Sequence, residues 1–427
     1  MIRDRKGLWG HPEFPKLWIG ETISLLGSQV TVLSLPLAAS IVLQATPFQM
    51  GVLGASQTIP FLLFGLVAGV WVDRLRRRPI MLIADVGRAV LLTTIPIAAV
   101  LGMLRLEQLL IVAFAVGVLD VFFGLAYASF LPSVVRREEL SEGNAKLALS
   151  AEVARVAGPG LAGILVQVLS APIAVAVDAA SFLVSAFALT RIKASEPPPV
   201  PASERQSVWT EIGEGLRAVT AQPILRTLVG VVGLSNRATG SCSVAVYVLY
   251  ATRELGLEPV ALGGIMAGVG VGGLIGAALA GPVTRRWGIG GTFLGAQLLW
   301  GGSYLGAAFV GGPPPLAATV LAATFAITGM VNPIAGANAT TLRQAVVAER
   351  LQGRVTAIAR VVMWTCVTIG AVAGGVSAER IGIRPTIAIS GCPPLLGFVR
   401  LLFSPVRHLR NVPGSISPPV ALSLEVP

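Results

Sequence analysis

Three carboxylates lie inside long apolar runs of this chain: Glu21, Asp120 and Asp178. An ionised side chain at mid-helix in a membrane costs ~2.5–3.5 kcal/mol on insertion scales, so such a residue is a functional candidate by default. An apolar surround favours the neutral form of a carboxylate, and a group met alternately by water from two sides can load and release a proton. Asp120, at mid-run before Phe122-Phe123, is the first candidate for that role, Asp178 the second and Glu21 the third. A purely structural hydrogen bond is the competing reading, most strongly for Asp178. Two charge pairs accompany them, Asp85 with Arg88 and Glu152 with Arg155. Each pair is three residues apart and so shares one helix face. Asp85 and Arg88 lie near one end of their run and read first as a structural latch. Phe123, Tyr127, Asn236, Arg237 and Asn332 are candidates to line a cavity, with ordinary packing as the alternative.

The elements that must hold these residues are membrane helices. The chain has 427 residues, 54% of them hydrophobic and 12% charged, against ~25% charged in soluble proteins. Such a composition cannot cover a surface in water. A spanning helix needs ~20 apolar residues, and the sequence offers twelve runs: 17–43, 48–72, 79–102, 107–131, 146–169, 171–190, 222–252, 260–282, 290–311, 315–342, 354–378 and 385–404. The expected architecture is an all-α membrane protein of two six-helix halves, 1–190 and 222–404. A Pro- and Ser-rich linker, 191–221, joins them and ends in an amphipathic stretch suited to the membrane surface. The tail 405–427 reads as disordered.

Short loops rich in Lys and Arg stay cytoplasmic. With both termini inside, 24 of the 32 Lys and Arg residues fall in inner segments and 4 in outer loops. Shifting the count by one helix destroys that asymmetry, which supports twelve spans with both termini cytoplasmic. The net charge of +11 therefore faces anionic lipid and not nucleic acid, since it forms no aromatic-interleaved basic face. Cys242, Cys366 and Cys392 are scattered and the two histidines, His11 and His408, lie near the ends. Neither a disulfide framework nor a metal site follows. No phosphate-binding Gly-x-x-x-x-Gly-Lys-Ser/Thr run and no cluster of acid, His or Ser residues supports an enzyme, and no cofactor is expected. The N-terminal residues show no cleavable leader, so the first helix is expected to serve as its own insertion signal.

The halves repeat. Leu131-x-x-x-Val135-x-x-Glu138-x-Leu140 returns as Leu342-x-x-x-Val346-x-x-Glu349-x-Leu351, at an offset of 211 residues. Gly163 lands on Gly374 at the same offset, and Gly69-x-x-x-Asp73-Arg74 returns, weakened, as Gly281-x-x-x-Arg285-Arg286. The loop Gly69-x-x-x-Asp73-Arg74-x-x-Arg77-Arg78 resembles the signature loop of the major facilitator superfamily, although Arg76 stands where that pattern usually has glycine. The resemblance implies a cytoplasmic latch between helices with Asp73 as its central acid. Gly158-Pro159-Gly160-Leu161-Ala162-Gly163 resembles the Gly-Pro motif of the antiporter branches, in part, with alanine in place of the first of its final glycines. Leu17-Trp-Ile-Gly-Glu-Thr-Ile-Ser-Leu-Leu-Gly27, Ile83-Ala-Asp-Val-Gly-Arg88 and Val177-Asp-Ala-Ala-Ser-Phe182 are similar to the bacterial efflux branch that includes macrolide-efflux proteins and the enterobactin exporter.

The resemblance implies a secondary exporter of a small amphipathic molecule (a drug, a natural product or a siderophore). It would work by proton antiport with alternating access, as a monomer in a bacterial inner membrane. A siderophore-specific exporter, a proton-coupled importer and a non-transporting sensor or scaffold are the other readings.

Overall fold

The computed structural model describes Leu8, residues 11–194, Glu196, and residues 208–242 and 244–410; the side chains of Leu66, Val67, Val70, Asp73, Arg350 and residues 208–212 are excepted. Residue 195 and residues 197–207 of the linker, and residues 411–427 of the tail expected to be disordered from 405, fall outside the described residues. Residues 405–410 depart from that expectation: Pro405–His408 form a 3-10 turn, Val406 is fully buried, and the Gly290 amide donates to the Leu409 carbonyl at 2.9 Å.

Every long apolar run is helical. In the first half these are α1 (Phe14–Leu37), α2 (Pro47–Arg74), α3 (Arg77–Val100), α4 (Leu106–Val134), α5 (Leu140–Leu169) and α6 (Ala171–Thr190). The amphipathic stretch forms α7 (Val208–Ala221). The second half contains α8 (Pro223–Ser241), α9 (Val244–Leu249), α10 (Pro259–Ala308), α11 (Pro314–Val346), α12 (Gln352–Ile381), α13 (Ile383–Ile389) and α14 (Cys392–Leu402). Among the described residues nine helical segments are long and apolar enough to cross a membrane. A tenth follows if Gly213–Ala221 and Pro223–Glu254, which meet at 103°, count as one bent span.

Local chemistry explains where helices begin and break. Thr46 starts α2 by accepting from the Gln49 amide at 3.3 Å while the Gln49 side chain accepts from the Thr46 amide at 2.8 Å. Two orphan donors are thus satisfied reciprocally. At 50 residues α10 is ~75 Å of helix, far beyond the ~30 Å hydrocarbon core, and it breaks at Gly288, whose φ is 71°. The run 385–404 does not form one unbroken helix. It divides at Ser390 and Gly391, because Pro393 and Pro394 cannot donate into a continuing helix.

The repeat visible in the sequence is also written in the backbone. Gln44 and Gly256 both have positive φ (50° and 62°), as do Ser170 and Gly382 (82° and 92°); each pair is 212 residues apart. The π-helical turns Ala38–Val42 and Tyr250–Glu254 follow the first helix of each half at the same spacing. So do the short 3-10 turns Arg137–Glu139 and Glu349–Leu351. Gly288 is the counterpart of Arg76, so the glycine absent from the first copy of the arginine loop is present in the second, with positive φ.

The halves meet through α2 against α12 and α5 against α10. Glycines set both contacts. A Cβ on Gly163 would lie 3.3 Å from the Cα of Gly263, and one on Gly375 would lie 2.8 Å from the Cα of Gly51. Gly51 and Gly263 are themselves 212 apart, so the two seams are related by the repeat. All four glycines sit near the helix ends farthest from the Arg76 loop. The two halves are therefore drawn together at that end.

Candidate functional site

The buried charges of the first half converge on Arg88. Its guanidinium donates to Asp85 Oδ1 at 2.5 Å and to Asp120 Oδ1 at 2.6 Å. Arg88 and Asp85 are sequestered, at 5% and 0% side-chain exposure, whereas Asp120 is 40% exposed. That exposure faces a cavity between the halves, where Asp120 lies across from Arg343 and Arg360. The guanidinium carbon also lies 4.3 Å from the Phe123 ring centre and 4.0 Å from that of Phe182. Rings on both sides and a fork of donors suit arginine and not lysine. Asp85–Arg88 is thus one arm of a triad that reaches the cavity, and Phe123 packs on the triad, not in the cavity. Tyr127 stacks on Phe123 at 5.9 Å. Its hydroxyl is buried with no partner among the described residues.

Glu21 is half-buried on α1 and lines a narrow crevice beside Phe123, Met81 and Ser185. Asp178 is sealed between α1 and α6 at 1% exposure. It accepts from Thr31 and, at 3.1 Å, from Ser181 Oγ. Of the three carboxylates, Asp120 faces the open volume and Asp178 has the surroundings of a structural hydrogen-bonding group.

Three openings that share lining residues have volumes of about 380, 270 and 860 Å³; the first and third are lined by both halves and the second by the second half alone. The first is lined by Gln29, Gln57 and Arg155 and by the aromatic residues Tyr247, Trp300 and Phe325. Arg155 pairs with Glu152 at 3.5 Å. Asn332 lines the first and second openings and Asn236 the second. Arg237 is exposed on α8 but lines none of the three. Phe61 of α2 and Trp364 of α12 stack across the halves at 4.5 Å and wall the third opening. Gln344 and Gln352, at the ends of α11 and α12, rim that opening on the side of the Arg76 loop.

At the opposite end polar contacts join the halves. Arg253 donates to the carbonyls of Ala45 at 2.9 Å and Ser40 at 3.3 Å. Glu379 accepts from the Phe48 amide at 2.9 Å. These residues were not identifiable as a set from sequence, because each partner is more than 200 positions away and exposed loops carry no period.

The arginine loop ties elements of the first half. Arg78 donates to the carbonyls of Leu189 at 2.8 Å and Thr190 at 2.7 Å, at the end of α6. Glu196 accepts from the amides of Arg77 at 2.6 Å and Arg78 at 3.0 Å, closing the start of α3. Arg74 is exposed, and the side chain of Asp73 lies outside the described residues. A Cβ on Gly69 would meet nothing within 4 Å, so packing does not require glycine there. Gly158 and Pro159 do sit at tight contacts. A Cβ on Gly158 would lie 2.5 Å from Gln29 Cβ, and one on Gly263 would lie 2.4 Å from the Pro159 carbonyl. The partial Gly-Pro motif thus forms one of the two seams between the halves.

A helical membrane bundle made of two repeats around a shared cavity is the architecture of a transporter, not of an enzyme. The family model described as transmembrane secretion effector matches residues 9–424, and the chain belongs to that family of the major facilitator superfamily. It is 26% identical over 400 residues to the multidrug efflux pump Tap of Mycolicibacterium fortuitum, covering 90% of this chain and 93% of that one. It is 24% identical to the enterobactin exporter EntS of Escherichia coli, covering 95% of each. Among solved structures, a bacterial homologue of the iron transporter ferroportin in an inward-facing state matches 91% of this chain and 97% of its own, with a TM-score of 0.72 at 18% identity. The chain is therefore a multi-pass membrane transporter of a small-molecule substrate.

Proposed function

We propose that this protein exports a small amphipathic molecule from the bacterial cytoplasm in exchange for protons, using twelve spans with both termini inside. The twelve follow if α10 is two spans broken at Gly288, and α2 and the bent α8–Glu254 segment each cross once. The positive-inside asymmetry of the sequence then favours a cytoplasmic side for the Arg76 loop and the wide rim of the cavity. The efflux relatives support the outward direction of transport.

One observation carries the proton assignment: Asp120 lines the cavity while held by a buried arginine. Protonation of Asp120 removes its charge and frees one side of Arg88, which stays paired to Asp85. That change biases how α3 and α4 pack, and so which end of the bundle is closed. Deprotonation restores the triad. Glu21 lies in a crevice beside Phe123, one of the rings that pack on Arg88, and is the next carboxylate for the role; Asp178 stabilises the α1–α6 pair.

Inside-out vesicles carrying a pH-sensitive dye test the reading. After respiration acidifies the lumen, adding dyes, macrolides or catechol siderophores should release protons through the native chain. A panel that dissipates no gradient, with the protein present and folded, would contradict proton antiport.

A further inference from the structure

We infer that the cavity's substrate is an organic anion carrying aromatic rings, held by Arg343 and Arg360 against the wall made by Phe61 and Trp364. This rests on the export reading and narrows its substrate class. Arg343, of α11, and Arg360, of α12, line both the second and third openings. Arg360 is two turns inside α12, exposed to the cavity and directed toward the first half.

The charges around the cavity do not balance. Asp85 and Asp120 share Arg88, which leaves that triad one negative charge in excess against two cavity arginines, and Arg155 is matched by Glu152. Among the described residues, Arg343 and Arg360 have no acidic partner, and no other acid lines the three openings. Two arginines lining one opening repel each other, and an anion seated between them relieves that repulsion. A guanidinium pair binds carboxylate, phenolate or sulfonate oxygens by charge-assisted hydrogen bonds. The stacked pair beside them offers an apolar face to rings, with centroids 4.5 Å apart. A cationic drug would meet two positive charges there, and Asp120, which shares Arg88 with Asp85, offers it only one partly compensated carboxylate.

Two xanthene dyes of similar shape and opposite charge test the assignment: fluorescein, an anion, and rhodamine 123, a cation. Binding to the detergent-purified full chain is read by fluorescence anisotropy, with size-exclusion chromatography as the folding control. Fluorescein should bind more tightly than rhodamine 123. Arg360→Gln and Arg343→Gln should each weaken fluorescein about tenfold, and Arg360→Lys should retain most of the binding. Rhodamine binding at equal or higher affinity, or fluorescein binding unmoved by both glutamine variants, would overturn the proposal. So would displacement of fluorescein by a few mole per cent phosphatidylglycerol, which would assign the arginines to lipid headgroups. Dye uptake into energised inside-out vesicles separates this from the export reading. Uptake of rhodamine and not fluorescein keeps export and discards the anion site; tight fluorescein binding without uptake of either dye keeps the site and discards export.

Discussion

Ser40 Oγ and Thr252 Oγ1 lie 3.3 Å apart. The two residues occupy the same position in the two halves, 212 residues apart, each in a π-helical turn at the end of its half's first helix. A residue that touches its own repeat-mate lies on the pseudo-two-fold axis. That axis passes through the closed end of the bundle, between the glycine seams of α5–α10 and α2–α12. Alternating access requires this contact to open. With Ser40→Cys and Thr252→Cys together, oxidation should form a disulfide that stops transport, and dithiothreitol should restore it. Transport that continues with the cross-link formed, as read by gel mobility, would show that this end need not part.

The glycines divide into two groups with opposite predictions. A Cβ on Gly272 would lie 1.9 Å from the Ala326 carbonyl and one on Gly240 would lie 2.0 Å from that of Val367. Backbone cannot yield as a side-chain tip does, so Gly272→Ala and Gly240→Ala should each cost roughly 1–3 kcal/mol and lower Tm in detergent. Gly69→Ala, inside the signature-like loop, should leave Tm unchanged, because the space beside it is open. A large loss of Tm at Gly69 would contradict that packing.

Arg88 is the only described cation touching either Asp85 or Asp120. Arg88→Gln should destabilise the fold by about 3–5 kcal/mol, since it strands a fully buried carboxylate. Asp85→Asn in the same chain should recover part of that loss. Arg88→Lys should recover little, because a single ammonium cannot span two carboxylates while stacked between Phe123 and Phe182. A double-mutant cycle on chemical denaturation checks all three; additive effects of Arg88→Gln and Asp85→Asn would contradict the coupling.

Glu196 closes the start of α3 from the linker. Glu196→Ala should cost ~0.5–2 kcal/mol, as losing a helix cap does. It should also speed hydrogen exchange at the amides of Arg77 and Arg78 while leaving α4 unaffected. Unchanged exchange at those amides would remove the linker from the latch.

Much of the fold was legible because membrane spans carry a strong one-dimensional signal. The apolar runs, the positive-inside asymmetry and the 211-residue echo around Glu138 and Glu349 all lie along the chain. Pairs at helical spacing, Asp85–Arg88 and Glu152–Arg155, were legible for the same reason. The second partner of Arg88 was not, since Asp120 is 32 positions away and reaches it through the packing of α3 on α4. Arg343 directly follows the apolar run 315–342 and Arg360 lies inside the run 354–378, and nothing in the sequence says that both face one cavity. Arg237, a cavity candidate by its place in an apolar run, lines none of the openings: period and hydropathy locate a residue in a span but not the face it presents.

The central claim is that Asp120 couples protons to transport. It is tested most directly in proteoliposomes that compare exchange with net movement for a transported dye. Asp120→Asn should keep dye exchange across the membrane at near-native rate, since the cavity and both seams remain, and should lose accumulation driven by a pH gradient. Accumulation that survives in Asp120→Asn would contradict the assignment and pass the role to Glu21.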